Sequence, residues 1–305
     1  MLFSVMSRVS RFLPREHGAY AQLGFPLATG LLLAFPPALS AVLLALAAIL
    51  FFLANEPVSI VLGIRGARLK RQEGEEAKGR GRVLLGAAAV SGIWGFALGW
   101  PTIWPEILIP SLLAVSLIPL VLSRNQKTIP GELLVVSIFS SLVLPLAVAS
   151  GSDPLRAGLA AGVWWISFAL GTLEVHAIKA RVKTTARSQW TRLASPVAAG
   201  GTVALASWLA LGQASPIFRR LRSTAPWGSG GTPGSGGNGW GETGVWVEWG
   251  PELMRLLPPT AAALLPPALA IFFLSLSRVH PRHLKRVGWT LVGANTLTLV
   301  LLLQG

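Results

Sequence analysis

Apolar residues in this chain run in blocks longer than a soluble element needs, and polar residues collect between them. A hydrocarbon core of about 30 Å takes ~20 apolar residues per helix. Nine stretches approach or exceed that length: roughly Gly18–Phe35, Ala38–Gly63, Val83–Trp100, Ile103–Ser123, Ile129–Ser150, Arg156–Ile178, Leu193–Gly212, Glu252–Ser277 and Gly288–Leu303. They predict an all-α, polytopic transmembrane helical bundle forming a single integral membrane domain over residues 1–305. Pro110, Pro119, Pro145, Pro258, Pro259, Pro266 and Pro267 fall inside the spans and predict bends that packed neighbours absorb.

Two segments stand apart. Over residues 1–13, Leu2, Phe3, Met6, Val9 and Leu13 recur at helical spacing, with Arg8 and Arg11 elsewhere. That pattern predicts a short amphipathic helix lying in the headgroup plane. Arg interrupts any apolar core there, so the segment does not read as a cleavable signal peptide. Residues 213–251 contain the run GSGGTPGSGGNGWGETG and predict a flexible extracytoplasmic loop. Its glycines lack the preceding strand and following Lys of a phosphate loop.

Composition agrees with the pattern. The chain is 52% hydrophobic and 12% charged, against about 25% charged in soluble domains. The net charge of +14 would point to nucleic acid in a soluble protein, but here the cations lie between apolar runs. With the N-terminus in the cytoplasm and nine alternating spans, 21 of the 26 Lys and Arg fall on the inner side. The positive-inside rule then predicts a multi-pass protein of the inner (plasma) membrane with its C-terminus outside. Nucleic acid is excluded as a partner, and membrane lipids are expected. The chain has no Cys, which removes disulfides, thiolate zinc sites and a cysteine nucleophile.

Ionisable groups in a span cost free energy, so their positions carry information. They gather at the predicted inner ends in four clusters: Arg15, Glu16 and His17 opening the first span; Asn55 and Glu56 near the end of the second; Glu132 entering the fifth; and Glu174, His176, Lys179 and Arg181 closing the sixth. Glu56 lies deep in an apolar run just before Pro57, where a carboxylate needs a partner or a function. Glu174 and Arg181 are seven apart and share a helical face, while His176, Lys179 and Lys183 share another. His280 and His283 have no carboxylate nearby, and no metal site is read.

The opening Pro14-Arg15-Glu16-His17-Gly18-Ala19-Tyr20 resembles the Pro-x-x-His-Gly-Ala-aromatic start of YwiC-like membrane proteins. The nine-span plan with polar inner helix ends is similar to the UbiA superfamily of intramembrane prenyltransferases. That second resemblance implies a UbiA-like bundle in which carboxylates at the ends of the second and sixth spans hold Mg²⁺ on a prenyl diphosphate. Laid on this chain, Asn55 and Glu56 take the first two motif places, and Ser59 and Gly63 stand where further Asp would be. Glu174 takes an acidic place in the second motif, with Ile178 and Arg181 where partners are expected. The single Asp, Asp153, is on the outer side, which leaves few hard ligands for Mg²⁺ among many cations.

The sequence therefore supports two function classes. One is a cytoplasm-facing cavity that binds an amphipathic or isoprenoid lipid, with a divergent prenyltransferase-like activity. In it, His17, Glu56 and Glu132 are the candidate catalytic groups, and Arg15, Asn55, Arg65, Glu174, His176, Lys179 and Arg181 the candidate substrate-binding groups. His17 would be the acid/base, since an imidazole titrates near neutrality. The other class is a transporter or lipid-handling protein without covalent chemistry. In both, Arg65, Lys179 and Arg181 are suited to meet an anionic head directly.

Overall fold

The structure is a computed structural model. It describes residues 17–100, 102–123, 125–180, 187–212, 244–277 and 284–304; within these, the side chains of 17, 187–193, 208–212, 244–254 and 258 lie outside the description. Among the described residues all regular structure is helical. The chain divides into two compact units, Met1–Trp165 and Ile166–Gly305.

The first unit holds α1 (His17–Leu32), α2 (Leu39–Val61), α3 (Ala67–Gly99), α4 (Trp104–Leu122), α5 (Ile129–Ser141), α6 (Val143–Ala149) and the start of α7 (Pro154–Ala180). The second unit holds the rest of α7 with α8 (Arg187–Gly212), α9 (Gly244–Leu276) and α10 (Leu284–Gln304).

Seven helical segments among the described residues are long and apolar enough to cross a bilayer: α2, α3, α4, α5 with α6, α7, Arg255–Leu276 of α9, and α10. They fit a multi-pass membrane protein. Two of the nine expected spans are not among them. The first corresponds to α1, of which 16 residues are described. The other corresponds to α8. The expected interfacial segment 1–13 lies outside the described residues, as do 213–243 of the expected loop. Residues 244–251 of that loop are instead the start of α9.

Two element boundaries differ from the sequence expectation for local reasons. The stretch Ile129–Ser150 breaks at Leu142 into α5 and α6. Pro145 has no N–H to offer the carbonyl four residues back, and its ring crowds that turn. In the other direction, residues 67–82 were expected to be a connecting segment and are helical. They extend the third span into a 33-residue helix, about 50 Å long, whose charged first half overreaches the hydrocarbon core. Lys78–Glu75 at 3.9 Å and Arg80–Glu76 at 3.7 Å line that exposed half.

Small residues let α2 and α3 approach. Ala77, Gly81, Ala88, Gly95 and Gly99 of α3 are buried. A Cβ on Gly95 would lie 2.9 Å from Leu44 Cγ and 3.0 Å from both Leu44 N and Ser40 O. This is backbone-close packing of the kind membrane helices use when lipid is as apolar as their side chains. The opposite extreme is α4, where Pro110 alone is buried and Leu108, Leu112, Val115, Ile118 and Leu122 are exposed. An apolar helix with an uncovered surface is expected to face lipid.

The core of the first unit packs Leu23 and Leu27 of α1, Ala41, Ala45 and Phe52 of α2, and Leu146 of α6. Gly30 lets α1 meet α6, since a Cβ there would lie 2.7 Å from Leu146 Cβ. Trp164, fully buried, donates from Nε1 to Thr29 Oγ1 at 2.8 Å and stacks on Phe25 with centroids 5.3 Å apart. In the second unit, Leu170, Ala199, Ala268 and Ile271 form the core shared by α7, α8 and α9.

Candidate functional site

The carboxylate that the sequence singled out as hardest to explain, Glu56, sits in the last two turns of α2 and is 3% exposed. Its partner is Arg65, whose guanidinium donates to Glu56 Oε2 in a part-buried ion pair. The connection between them is built by the end of α2. Gly63, with φ 75°, takes the left-handed position; its N–H bonds to Ile60 O and the N–H of Ile64 bonds to Ser59 O, both at 2.9 Å. That is a Schellman termination. Gly66, with φ 105° and ψ 150°, then starts α3 in a region only glycine occupies readily. Between these two glycines the chain reverses, and Arg65 reaches back nine residues to Glu56.

The surroundings of Glu56 come from three helices. Phe52, one turn earlier on α2, meets Tyr20 of α1 edge-on at 5.2 Å and Phe139 of α5 at 5.9 Å. Tyr20 lies within Coulombic reach of Glu56. Pro57, Ser59 and Ile60 are buried beside it, and Ile60 packs with Ala77 of α3, against Val61 and Leu69. Arg65 keeps 31% of its side chain exposed, and its guanidinium has five donors, of which the ion pair is shown to use one. Arg68, Lys70 and Arg71, all exposed, follow in the first turns of α3.

The other expected residues separate. Asn55 is exposed although its neighbour Glu56 is buried, because adjacent helical residues point about 100° apart. The two therefore do not converge as a metal-binding pair would. Ser59 is buried, and Gly63 is used to terminate α2. Glu132 is half-buried in the first turn of α5, where the helix dipole favours a negative charge. Lys179 is exposed in the last turn of α7, the complementary location for a cation. His176 is half-buried on α7. Arg15, Arg181 and the side chain of His17 lie outside the described residues.

Glu174 belongs to the second unit and is fully buried. Arg181, its expected face partner, lies outside the described residues. Two contacts of Glu174 come from other helices. Ser195 Oγ of α8 lies 2.5 Å and Ser275 Oγ of α9 2.6 Å from Glu174 Oε2. Neither serine stood out in the sequence, since serine is common in membrane helices and these two lie 21 and 101 residues from Glu174. Among the described residues, no three His, Cys, Asp or Glu side chains gather in a way that could hold a metal ion.

Residues 13–148 match the family model described as YwiC-like protein. The match begins just ahead of the His-Gly-Ala-Tyr start of α1 and ends in α6, so it takes in Tyr20, Phe52, Glu56, Arg65 and Phe139. No curated protein and no solved structure matches the chain, and the UbiA-like resemblance rests on the sequence pattern alone.

Proposed function

We propose that this membrane protein, YwiC-like over residues 13–148, handles an amphiphilic lipid with an anionic head, such as an isoprenoid phosphate, without covalent chemistry. The observation that carries this reading is the Glu56–Arg65 pair. A carboxylate already neutralised within the chain is a poor Mg²⁺ ligand, whereas a guanidinium anchored on one side and open on the other is preorganised for a phosphate. Arg68, Lys70 and Arg71 add positive charge at the same end. In the orientation that the Lys and Arg asymmetry predicts, this end faces the cytoplasm. The exposed apolar face of α4 supports lipid access from the side.

The test uses the full chain in nanodiscs of neutral lipid and compares a prenyl phosphate with the matching prenyl alcohol by native mass spectrometry. The phosphate should bind, and chelating divalent ions should leave binding unchanged. Replacing both partners, Glu56→Gln with Arg65→Gln, keeps net charge while removing the guanidinium. Loss of one charged hydrogen bond, about 1.5–3 kcal/mol, should weaken binding by roughly tenfold or more. Equal binding of phosphate and alcohol would refute the reading. Mg²⁺-dependent release of diphosphate from a prenyl diphosphate would replace it with prenyl transfer.

A further inference from the structure

We infer that α9 and α10 hold a monovalent alkali cation at mid-membrane, between the Pro266-Pro267 pair and the side chains of Asn295 and Thr298, independent of lipid binding at Arg65. In a helix each carbonyl accepts from the N–H four residues on. Pro266 and Pro267 have no N–H, so the carbonyls of Ala262 and Ala263 lack that partner. Both prolines fall at the middle of the span Arg255–Leu276, at a depth where bulk water does not replace it. One of the two carbonyls is met from α10: Thr298, fully buried, donates from Oγ1 to Ala263 O at 2.9 Å. Asn295 lies one turn earlier, at the middle of Leu284–Gln304, and is 6% exposed. Its Oδ1 is buried and has no hydrogen-bond partner among the described residues.

Helix register brings this atom to the proline pair. Leu291, Asn295 and Thr298 share a helical face. Leu291 packs on the cluster that includes Ala268 and Ile271 of α9, and Thr298 reaches Ala263. Asn295, between them, faces the stretch of α9 from Ala263 to Ala268 that holds both prolines. The donor set selects the ligand. Asn295 Oδ1 and the two carbonyls are acceptors only, so their occupant brings hydrogens or positive charge. A water has two hydrogens to give, enough for Asn295 Oδ1 and Ala262 O. Thr298 adds two more oxygens. Its Oγ1 also lies 3.2 Å from Ala294 O, the back-bonded position of a helical threonine. Turning its hydrogen there releases Ala263 O and exposes a lone pair of Oγ1. The occupant then meets Asn295 Oδ1, Thr298 Oγ1, Ala262 O and Ala263 O, an all-oxygen set of the kind a hard cation takes. Breaks in transporter helices supply carbonyls to ions at the same depth. All four oxygens are neutral, which suits a single charge, because the cost of burying an ion rises with the square of its charge.

The experiment measures binding of radioactive sodium, and of radioactive rubidium as the tracer for K⁺, to the purified full chain in detergent. At least one of the two should bind saturably, and Mg²⁺ at equal ionic strength should not displace it. Exchanging choline chloride for the chloride of the bound ion should raise the melting temperature, since a ligand of the folded state stabilises it. Asn295→Leu and Thr298→Val each remove one oxygen without adding charge. Each should weaken binding at least ~10-fold, the low end for disturbing even the outer groups around a metal ion, with an unchanged melting profile in choline chloride. Thr298→Ser keeps the hydroxyl and should bind; where Asn295→Leu lowers stability in choline, the Val and Ser variants of Thr298 decide. Three results overturn the inference: no saturable binding of either tracer, as an occupying water would give; binding that survives Asn295→Leu or Thr298→Val, as a cation held at Glu174 would show; or loss of binding in Thr298→Ser as well as Thr298→Val, which would mark a packing role.

Discussion

Removing either half of the Glu56–Arg65 pair should have very unequal consequences. The carboxylate side chain is 4% exposed and the guanidinium side chain 31% exposed. Arg65→Gln leaves a carboxylate with almost no contact with solvent and no counter-charge. Stranding one member of a buried pair costs about 3–5 kcal/mol. Glu56→Gln leaves an Arg65 whose side chain is 31% exposed, so rehydration recovers much of the loss. About 1 kcal/mol is expected there, near the low end for breaking a charged hydrogen bond. The double variant, with two amides facing each other, should lie closer to Glu56→Gln than to Arg65→Gln, giving a coupling of roughly 2–3 kcal/mol in a double-mutant cycle. The measurement is thermal or denaturant unfolding of purified protein in a fixed detergent, followed by tryptophan fluorescence. Equal destabilisation by the two single variants, or additive effects in the double, would show that burial asymmetry does not govern this pair.

Three further outcomes follow from local geometry. Gly95→Ala pushes a methyl against backbone atoms of Leu44 and Ser40 at 3.0 Å and should lower stability by about 1–3 kcal/mol, whereas Gly92→Ala meets only Ala47 Cβ at 3.6 Å and should be neutral in the same melting assay. Gly66→Ala must hold φ 105° with a side chain, at a cost of about 1–3 kcal/mol; by disturbing the turn that returns Arg65, it should also weaken phosphate binding in the nanodisc assay. Trp164→Phe keeps most of the apolar surface but removes the 2.8 Å bond to Thr29; a loss of about 1–2 kcal/mol, with a matching fall in melting temperature, is expected.

The course of the fold along the chain was largely legible because each membrane helix satisfies its own backbone. Whether a stretch such as Leu39–Val61 or Trp104–Leu122 spans the membrane depends on its own residues, and hydropathy sums them directly. The break at Leu142 and the helical extension Ala67–Arg82 were harder to see. The first depends on where one proline falls within an otherwise uniform apolar run. The second is a helix in water, which a search for apolar length passes over. At the site, the importance of Glu56 was visible from its cost in an apolar run, and Arg65 was among the expected anion-binding residues. That the two neutralise each other was not visible, since it depends on two glycines turning the chain.

The solvent of this protein, the helical class, the approximate span positions and the His-Gly-Ala-Tyr start that the YwiC-like match includes are readable from the amino-acid order. These follow from one-dimensional sums and local patterns. Tertiary structure alone decided which polar groups meet. It turned Asn55 away from Glu56, assigned Gly63 to a helix end in place of a ligand position, and brought Ser195 and Ser275 to Glu174 from 21 and 101 residues away. Such pairings depend on the rotation and register of whole helices, which are set by close contacts like that of Gly95 with Leu44. Apolar length constrains neither quantity, so the chemistry of the buried carboxylates was decided by packing.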